Sequence, residues 1–363
     1  MNRRLAHEMA IAGGSGWSVT AVAPASYRGD LGRIDLAPDP EEKNELRAIR
    51  ARVQRVPHLM RYADLDAALA GGWDVVHCWE EPYVAAGAQI ARAVPRDAAF
   101  VVATFQNLKK RYPWPLSRFE RATMARADGW IAFGRSILTA LGSRPSYARL
   151  PSRVIPPGVD VLRFAPNPTA SARVRADLGW PADAIVVGYL GRFVREKGIQ
   201  VLWESLERIP DGWHALFVGG GPLEPELRTF ESRHPSRVKV VTGVSHDRVP
   251  EWLNAMSLVC LPSLTTAHWR EQFGRVLIEA MACGIPVVAS DSGEMPHVVG
   301  DAGVIAAEGE GGSWASAIER LIGSDEERRR LSAAGLDRAR SVFAWPVVAR
   351  AHLEFFGELL GGA

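Results

Sequence analysis

The sequence predicts an α/β protein with two domains, each built on a parallel sheet. Short apolar runs rich in β-branched residues alternate with helix-length amphipathic patterns along almost the whole chain, as in parallel sheets with crossover helices. Strand runs such as 185–187 are apolar at every position, which is typical of strands that are buried on both faces. The chain has 363 residues and a hydrophobic content of 47%, and this length suits two domains of about 150–200 residues better than one core.

The first half of the chain opens with a predicted helix and then alternates. Helices are predicted from apolar residues at helical spacing, and strands from short β-branched runs. The predicted helices are 3–12, 82–93 and 118–127, and the predicted strands are 18–22, 74–77, 100–103, 129–133 and 154–155. The charged segment 35–61 follows neither period, and it predicts an insertion or a surface helix.

The second half of the chain alternates more regularly. Its predicted strands are 185–188, 215–218, 238–241, 258–261 and 286–289, and its predicted helices are 198–207, 223–233, 249–255, 275–282, 314–322, 324–339 and 347–360. Pro346 precedes the last helix, where we expect it to kink the chain.

Two proline-containing turn sequences mark the predicted domain boundary. Pro156-Pro157-Gly158 and Pro166-Asn167-Pro168 are turn sequences that flank a short segment. We therefore predict a first domain over residues 1–160, a second over 161–345 and a terminal helical segment over 346–363.

The composition excludes several classes of protein. No window of 18 consecutive apolar residues is present and the N-terminal segment has no long apolar core, so neither a membrane-spanning helix nor a signal peptide is predicted. The three cysteines, Cys78, Cys260 and Cys283, are scattered in apolar runs. A sparse, odd set of cysteines favours a reducing cytoplasm over a disulfide framework.

Charge is distributed unevenly along the chain. Residues 1–160 carry 22 Lys and Arg against 16 Asp and Glu, whereas the remainder carries 21 against 25. The basic first part indicates an anionic surface or substrate nearby, or random variation of the surface. The overall net charge of +2, without a recognised module, predicts no nucleic-acid binding.

Two glycine turns in the second half suit phosphate binding. The segment 188–198 follows a predicted strand and opens a helix, and it carries Gly191, Arg192 and Lys197. Glycines admit a ligand close to the backbone, and two cations beside a helix N-terminus suit a pyrophosphate. The second turn, 218–223, contains Gly220 but lacks the spacing of a dinucleotide fingerprint. Taken alone, either stretch also fits an ordinary surface turn.

The most specific motif runs from Glu271 to Ala289. It predicts a loop, a helix, a glycine stop and a buried strand, with Glu271 just before the helix and Glu279 about 80° round from it if the segment is helical. Gly274 would let the amides of residues 274–276 face a phosphate. An acidic helix cap and a surface Glu would be the plain alternative, but a carboxylate in so apolar a helix is costly without a partner.

Together these stretches resemble the retaining GT-B glycosyltransferases of family 4, the glycosyl transferases of group 1. The similar motifs are G-R-x-x-x-E-K-G at 191–198, G-G-G-P at 219–222, L-P-S at 261–263 and E-x-F-G-x-x-x-x-E-A-M-A-x-G-x-P-V-V-A at 271–289. Residues 155–160 with Phe164 are similar to the interdomain signature of that family. The resemblance extends along nearly the whole chain, and its specific motifs lie within 185–300.

The resemblance implies a GT-B fold, with two Rossmann-like domains that face a cleft and a last helix that crosses back to the first domain. It implies transfer of a sugar, with retained anomeric configuration, from a UDP- or GDP-sugar to a glycan, a lipid-linked acceptor or a small molecule. No metal and no cofactor besides this co-substrate is expected, because cations replace the metal in such proteins. The D-x-D triplet at 64–66 is expected to be surface.

The resemblance also implies residue roles. Glu271 would hold the sugar hydroxyls and Glu279 the ribose, while Arg192 and Lys197 would stabilise the charge that builds on the leaving β-phosphate. The implied catalytic set is Glu271, Arg192 and Lys197. The implied donor-binding set is Gly191, Gly220, Val244, Phe273, Gly274, Arg275, Val276 and Glu279.

The first half departs from the family pattern in two places. Relatives begin one strand earlier, so we expect a misplaced start codon, or else a defective first domain, since a sheet without its first strand exposes backbone groups. Gln106 stands where relatives often place a histidine. It is predicted to line the acceptor side of the cleft; a loop amide bonded to backbone is the alternative.

Residues 107–121 interleave basic and aromatic side chains. This pattern predicts contact with an anionic membrane, a lipid-linked acceptor or an anionic glycan, or simply a solvated face. The predicted location is cytoplasmic, peripheral at the inner membrane face. A GT-B phosphorylase or epimerase and a non-catalytic sugar-nucleotide-binding protein are the alternative functions.

Overall fold

A computed structural model describes residues 2–29, 32–37 and 39–361 of the chain. Contacts divide these residues into two compact units. The first unit contains the described residues up to Gly158 together with those from Trp345 onward, and the second unit contains Val159–Ala344.

Helices and strands alternate in the first unit. Its helices before the boundary are α1 Asn2–Gly13, α2 Leu65–Ala68, α3 Ala85–Ala93, α4 Leu116–Arg126, α5 Arg135–Leu141 and α6 Pro145–Ala148. Its strands are β1 Thr20–Pro24, β2 Ser26–Gly29, β3 Gly32–Asp35, β4 Glu45–Ile49, β5 Ala51–Arg52, β6 Arg61–Tyr62, β7 Val75–Cys78, β8 Ala99–Thr104, β9 Gly129–Ala132 and β10 Ser152–Val154.

The second unit repeats the alternation with longer strands. Its helices are α7 Pro168–Asp177, α8 Ile199–Leu206, α9 Glu224–Arg233, α10 Val249–Asn254, α11 Arg275–Ala282, α12 Met295–Val299, α13 Gly311–Gly323 and α14 Asp325–Arg338. Its strands are β11 Val186–Arg192, β12 His214–Gly220, β13 Val238–Thr242, β14 Leu258–Leu261, β15 Val287–Ser290 and β16 Val304–Ala306. The last helix, α15 Trp345–Leu359, belongs to the first unit.

The main sheet of the first unit is parallel, in the order β10-β9-β8-β7. β1 and β4 form a separate parallel pair, and two further pairs, β2-β3 and β5-β6, are antiparallel. The surface helix offered as one interpretation of 35–61 is wrong, because its described residues form short strands and a single 3-10 turn. The expected upstream strand stays a prediction.

Helices α1 and α15 pack together in the core of the first unit. Leu5 and Met9 of α1 and Phe356 of α15 are buried in one cluster. Pro346 lies in the first turn of α15, where a missing amide hydrogen costs nothing. The helical chain is interrupted at the extended residue Ala344, two positions before Pro346, so the break lies next to the proline and not at it. No helix in the described ranges is long and apolar enough to cross a membrane.

The second unit is built on a six-stranded parallel sheet, in the order β13-β12-β11-β14-β15-β16. Its two ends meet, since the amide of Val159 donates to the carbonyl of Phe343 at 2.7 Å. The glycine turns follow β11 and β12, and the L-P-S stretch ends β14. Because all these strands run parallel, the three motifs lie at the carboxyl edge of the sheet, where α/β proteins place their ligand sites.

Candidate functional site

Glu271 is a buried, charge-compensated carboxylate in the loop between β14 and α11. Its side chain accepts hydrogen bonds through Oε2 from Lys197 Nζ at 2.6 Å and from Ser263 Oγ at 2.7 Å. Only 6% of the residue is exposed. The Lys197 ammonium also lies 5.0 Å from the centre of the Trp269 ring, within the range of a cation–π contact. These contacts fix the position of the carboxylate.

Lys197 reaches Glu271 because two loops touch. Lys197 ends the 3-10 turn that follows β11, and the next residue, Gly198, has a positive φ of 63°. A Cβ at Gly198 would lie 1.8 Å from the carbonyl oxygen of Pro262, so only glycine permits this approach. The amide of Leu264 also donates to the carbonyl of Glu196 at 2.8 Å. The loops after β11 and β14 are therefore held side by side.

Arg192 is an exposed cation at the carboxyl end of β11. It makes no ion pair within the described part of the chain, although its carbonyl accepts a hydrogen bond from Tyr189 Oη at 2.7 Å. The amide of Phe193 donates to Gly220 at 2.8 Å, and the amide of Leu223 donates to Phe193 at 3.0 Å. The two predicted glycine turns are thus hydrogen-bonded to each other, with the guanidinium available to an anion.

Glu279 is the second buried carboxylate, and it lies inside α11 with 7% of the residue exposed. Arg275, one turn earlier, places its guanidinium 3.7 Å from Glu279 Oε1. Burial raises the pKa of Glu279, and the nearby charges of Arg275 and Arg163 oppose that rise. Arg163 also donates a hydrogen bond to the backbone carbonyl of His246. Burial, together with the charges of Arg163 and Arg275, lowers the pKa of the His246 imidazole.

The expected geometry of the two carboxylates needs a correction. Helix α11 begins at Arg275, after Gly274 in the left-handed conformation with a φ of 79°, which favours glycine. Glu271 therefore precedes the helix by four positions, and the helical angle of about 80° between Glu271 and Glu279 is wrong. The loop contacts of Lys197 and Ser263, rather than a helix face, place Glu271.

Three of the predicted donor-binding residues turn their side chains into the core of the second unit. Phe273 is buried edge-on to Phe343, with ring centres 5.9 Å apart. Val276 is buried and Val244 is half-buried against the same core. The buried side chains of Phe273 and Val276 leave mainly the backbone of these two residues open to contact.

Gln106 lies in the first unit, in the loop after β8, and is 5% exposed. Its amide donates to Thr104 Oγ1 at 3.1 Å, and its Nε2 donates to the carbonyl of Leu108 at 3.3 Å. Its Oε1 is buried and has no hydrogen-bond partner among the described residues. The loop-amide alternative thus accounts for Nε2 but leaves the side-chain oxygen unexplained.

Sequence reasoning missed the contacts of Ser263, Trp269 and Arg163. Ser263 belongs to the L-P-S motif, which supported the family resemblance but was assigned no role in the site. No local sequence pattern marks Trp269 or Arg163 as site residues. Of the D-x-D triplet, Asp64 pairs with the exposed Arg50 at 2.8 Å. Within residues 2–29, 32–37 and 39–361, no group of three or more His, Cys, Asp or Glu side chains is arranged to hold a metal ion.

Known proteins share both the sequence and the fold. The family model described as "Glycosyl transferases group 1" matches residues 171–338. The D-inositol 3-phosphate glycosyltransferase of Xylanimonas cellulosilytica is 31% identical over 301 residues, which cover 79% of this chain and 69% of that protein. The chain belongs to the group 1 glycosyltransferases.

Other relatives of this glycosyltransferase match more narrowly. The putative teichuronic acid biosynthesis glycosyltransferase TuaC of Bacillus subtilis is 36% identical over 150 residues, which cover 41% of this chain and 36% of that protein. The shared sequence confirms that the chain is a glycosyltransferase enzyme.

Solved structures confirm the predicted GT-B fold. Sucrose-phosphate synthase of Thermosynechococcus elongatus superposes with a TM-score of 0.73 at 23% identity, over 99% of this glycosyltransferase and 92% of that chain. HepE of Anabaena, solved in complex with UDP, gives a TM-score of 0.72 at 23% identity, over 88% and 87% of the two chains.

Proposed function

We propose that this glycosyltransferase moves a sugar from a UDP- or GDP-sugar to a carbohydrate or lipid-linked acceptor, with retention of anomeric configuration. One observation carries the proposal. The buried Glu271 carboxylate is held by Lys197 and Ser263 at the edge of the sheet where Arg192 ends β11. A held anion beside a free guanidinium suits a ligand with both hydroxyls and a diphosphate.

Arg192 and Lys197 act on the leaving group. Breaking the bond to the sugar leaves a nucleoside diphosphate, whose β-phosphate gains negative charge. A guanidinium matches phosphate oxygens in a bidentate fashion, and fixed cations stabilise charge that develops in the transition state. Glu271 binds the donor sugar hydroxyls, since a carboxylate is a strong acceptor for them.

Glu279 binds the donor ribose hydroxyls, and Arg275 lies within reach of the same carboxylate. The backbone amides at the start of α11, after Gly274, face the diphosphate at the positive end of the helix. The backbone at Val244 contacts the base, and Gly191 and Gly220 let the diphosphate approach the two turns.

The cations and amides take the place of a divalent metal, and no further cofactor takes part. HepE of Anabaena was solved with UDP, which supports a uridine donor as the first choice to test. The relatives named for D-inositol 3-phosphate support an acceptor that presents a free hydroxyl.

Gln106 of the first unit is the proposed acceptor contact. Gln106 carries a buried amide oxygen without a partner among the described residues, which a hydroxyl donor would satisfy. Trp114, within 107–121, is 79% exposed and sits among exposed basic residues, which suits peripheral contact with an anionic membrane at the cytoplasmic face.

Thermal-shift measurements against UDP-glucose, UDP-N-acetylglucosamine and GDP-mannose, followed by NMR of the product anomer, test this function. At least one donor should raise the Tm and yield an α-linked product from an α-linked donor, with the rate unchanged in EDTA. Binding without transfer would favour the non-catalytic alternative. An inverted product, or loss of turnover in EDTA, would contradict the mechanism.

A further inference from the structure

A second amphiphilic surface lies on the first unit, outside the donor and acceptor residues. Residues 50–61 contain β5, a 3-10 turn at Pro57–Leu59 and the start of β6. Three aliphatic side chains in this segment point into solvent, namely Val53 (55% exposed), Val56 (46%) and Leu59 (37%). Its four arginines are exposed as well, namely Arg50, Arg52, Arg55 and Arg61. The segment combines cationic and apolar groups on one exposed strip.

Two arrangements in this segment work against its own stability. Val53 has a positive φ of 59°, an unfavourable conformation for a β-branched residue. Arg52 and Arg61 lie directly opposite each other across the β5-β6 pair, and like charges at such positions repel. Strained backbone conformations concentrate at functional positions, and an anion bound between Arg52 and Arg61 would relieve their repulsion.

The positive charge of the segment is mostly uncompensated. Arg50 pairs with Asp64 at 2.8 Å. Arg55 and Arg61 make no ion pair with any residue that the structure describes. These guanidinium groups are therefore available to an external anion, and arginine binds phosphate groups through a bidentate fork.

Aromatic contacts join this segment to residues 107–121. The ring of His58 lies 5.8 Å from that of Tyr83, and Tyr83 stacks on Tyr112 with ring centres 4.1 Å apart. Two residues after Tyr112, Trp114 is 79% exposed. Residues 50–61 and 107–121 are thus linked through Tyr83, and both segments expose basic and apolar side chains.

We propose that residues 50–61 are a second membrane-contact segment, which binds an anionic bilayer together with 107–121. Basic residues are attracted to anionic headgroups, aliphatic side chains enter the acyl boundary, and tryptophan and tyrosine favour the interface. The charge and the exposed aliphatic groups together fit a lipid surface better than a soluble acidic protein, because such a protein would leave the aliphatic groups exposed to water. The inference rests on the membrane contact proposed for 107–121.

Vesicle sedimentation with the full chain tests the inference, using phosphatidylcholine vesicles with and without phosphatidylglycerol. The double variant Arg55→Gln/Arg61→Gln should partition roughly 25-fold less onto anionic vesicles, at about fivefold for each arginine. Arg92→Gln/Arg96→Gln is the matched control. It removes the same charge from exposed positions in and after α3, at the opposite end of β8, and it should bind like the wild type.

A second variant separates lipid insertion from charge attraction. Val56→Ser/Leu59→Ser should weaken binding to anionic vesicles, and this loss should not be one that added salt alone produces in the wild type. Thermal melts check that each variant is folded. Binding by Arg55→Gln/Arg61→Gln equal to wild type, equal losses in the control, or equal binding to neutral vesicles would overturn the inference. Binding of a soluble acidic polysaccharide without binding of vesicles would also overturn the inference. No donor or acceptor is present, so these outcomes leave the proposed transfer reaction unaffected.

Discussion

Lys197 and Glu271 form a buried ion pair, with Nζ 2.6 Å from Oε2 and only 17% and 8% of the two side chains exposed. The proposed function assigns these residues to different parts of the donor, the diphosphate and the sugar. Their contact means that the two roles depend on each other. Removing either partner takes a close, oppositely charged group from the other, and breaking comparable buried pairs costs about 3–5 kcal/mol.

A double-mutant cycle measures this dependence. Lys197→Met and Glu271→Gln should each lower kcat/KM by about two to three orders of magnitude, and Lys197→Met should destabilise the fold more than Glu271→Gln. The double variant should be more stable than the sum of the single losses predicts, because neither charge is then left alone. Urea unfolding measures the losses of stability, and initial rates measure the losses of kcat/KM. Additive losses of stability would show that the pair is not coupled.

Glu279 should give the donor affinity an unusual pH dependence. Burial raises the pKa of its carboxyl, so the charged form, which we propose accepts ribose hydroxyls, is lost at a higher pH than for an ordinary glutamate. KM for the donor should rise as the pH falls through this raised pKa, and Glu279→Gln should flatten that rise. Because the folded pKa is raised, the contribution of Glu279 to the unfolding free energy is present at low pH and declines as the pH rises. A wild-type pH profile unchanged by Glu279→Gln would contradict the assignment.

Glu81 should make the stability of the first unit depend on pH near neutrality. Its carboxylate accepts hydrogen bonds from Thr104 Oγ1 at 2.6 Å and the Phe105 amide at 2.8 Å. Burial, with smaller effects from the carboxylates of Glu80 and Glu120, nevertheless raises the pKa of Glu81 to about 7. Above that pH the folded state holds a costly charge.

Comparison of Tm values therefore isolates Glu81. Between about pH 5 and pH 8, the wild type should lose stability relative to Glu81→Gln, by on the order of 2–3 kcal/mol in total. Glu41→Gln, which alters an exposed carboxyl, should show no such pH dependence. A constant difference between wild type and Glu81→Gln across this range would rule out the raised pKa.

Much of the second unit was predictable because its elements carry strong local signals. Helix α11 was predicted with its observed bounds, since an apolar helical run lies between Gly274 and Gly284. The strand β14 was likewise predicted at its observed bounds. Strand β14 is buried at every position, and α11 is buried at every position after Arg275, so an apolar sequence marks both elements.

The first unit was less predictable for a physical reason. Strand β4 is mostly exposed or half-buried, so its residues carry no apolar alternation, and the segment 35–61 was interpreted as an insertion or a surface helix. At the site, Arg163 and Trp269 act through contacts across separate loops. No local sequence pattern predicts such a contact. Only the family motif L-P-S, which contains Ser263, pointed to this loop.

The proposed transfer reaction depends most directly on the binding of a nucleoside diphosphate sugar by the second unit through Arg192. Calorimetric titration of UDP and UDP-glucose into wild type, Arg192→Gln and Arg195→Gln tests it most directly, since Arg195 is an exposed cation in the same loop. Arg192→Gln should weaken binding by at least about tenfold, as expected for the loss of a charge-assisted bond to phosphate, while Arg195→Gln should bind like the wild type. Equal affinity for wild type and Arg192→Gln, or equal losses in the two variants, would contradict the claim.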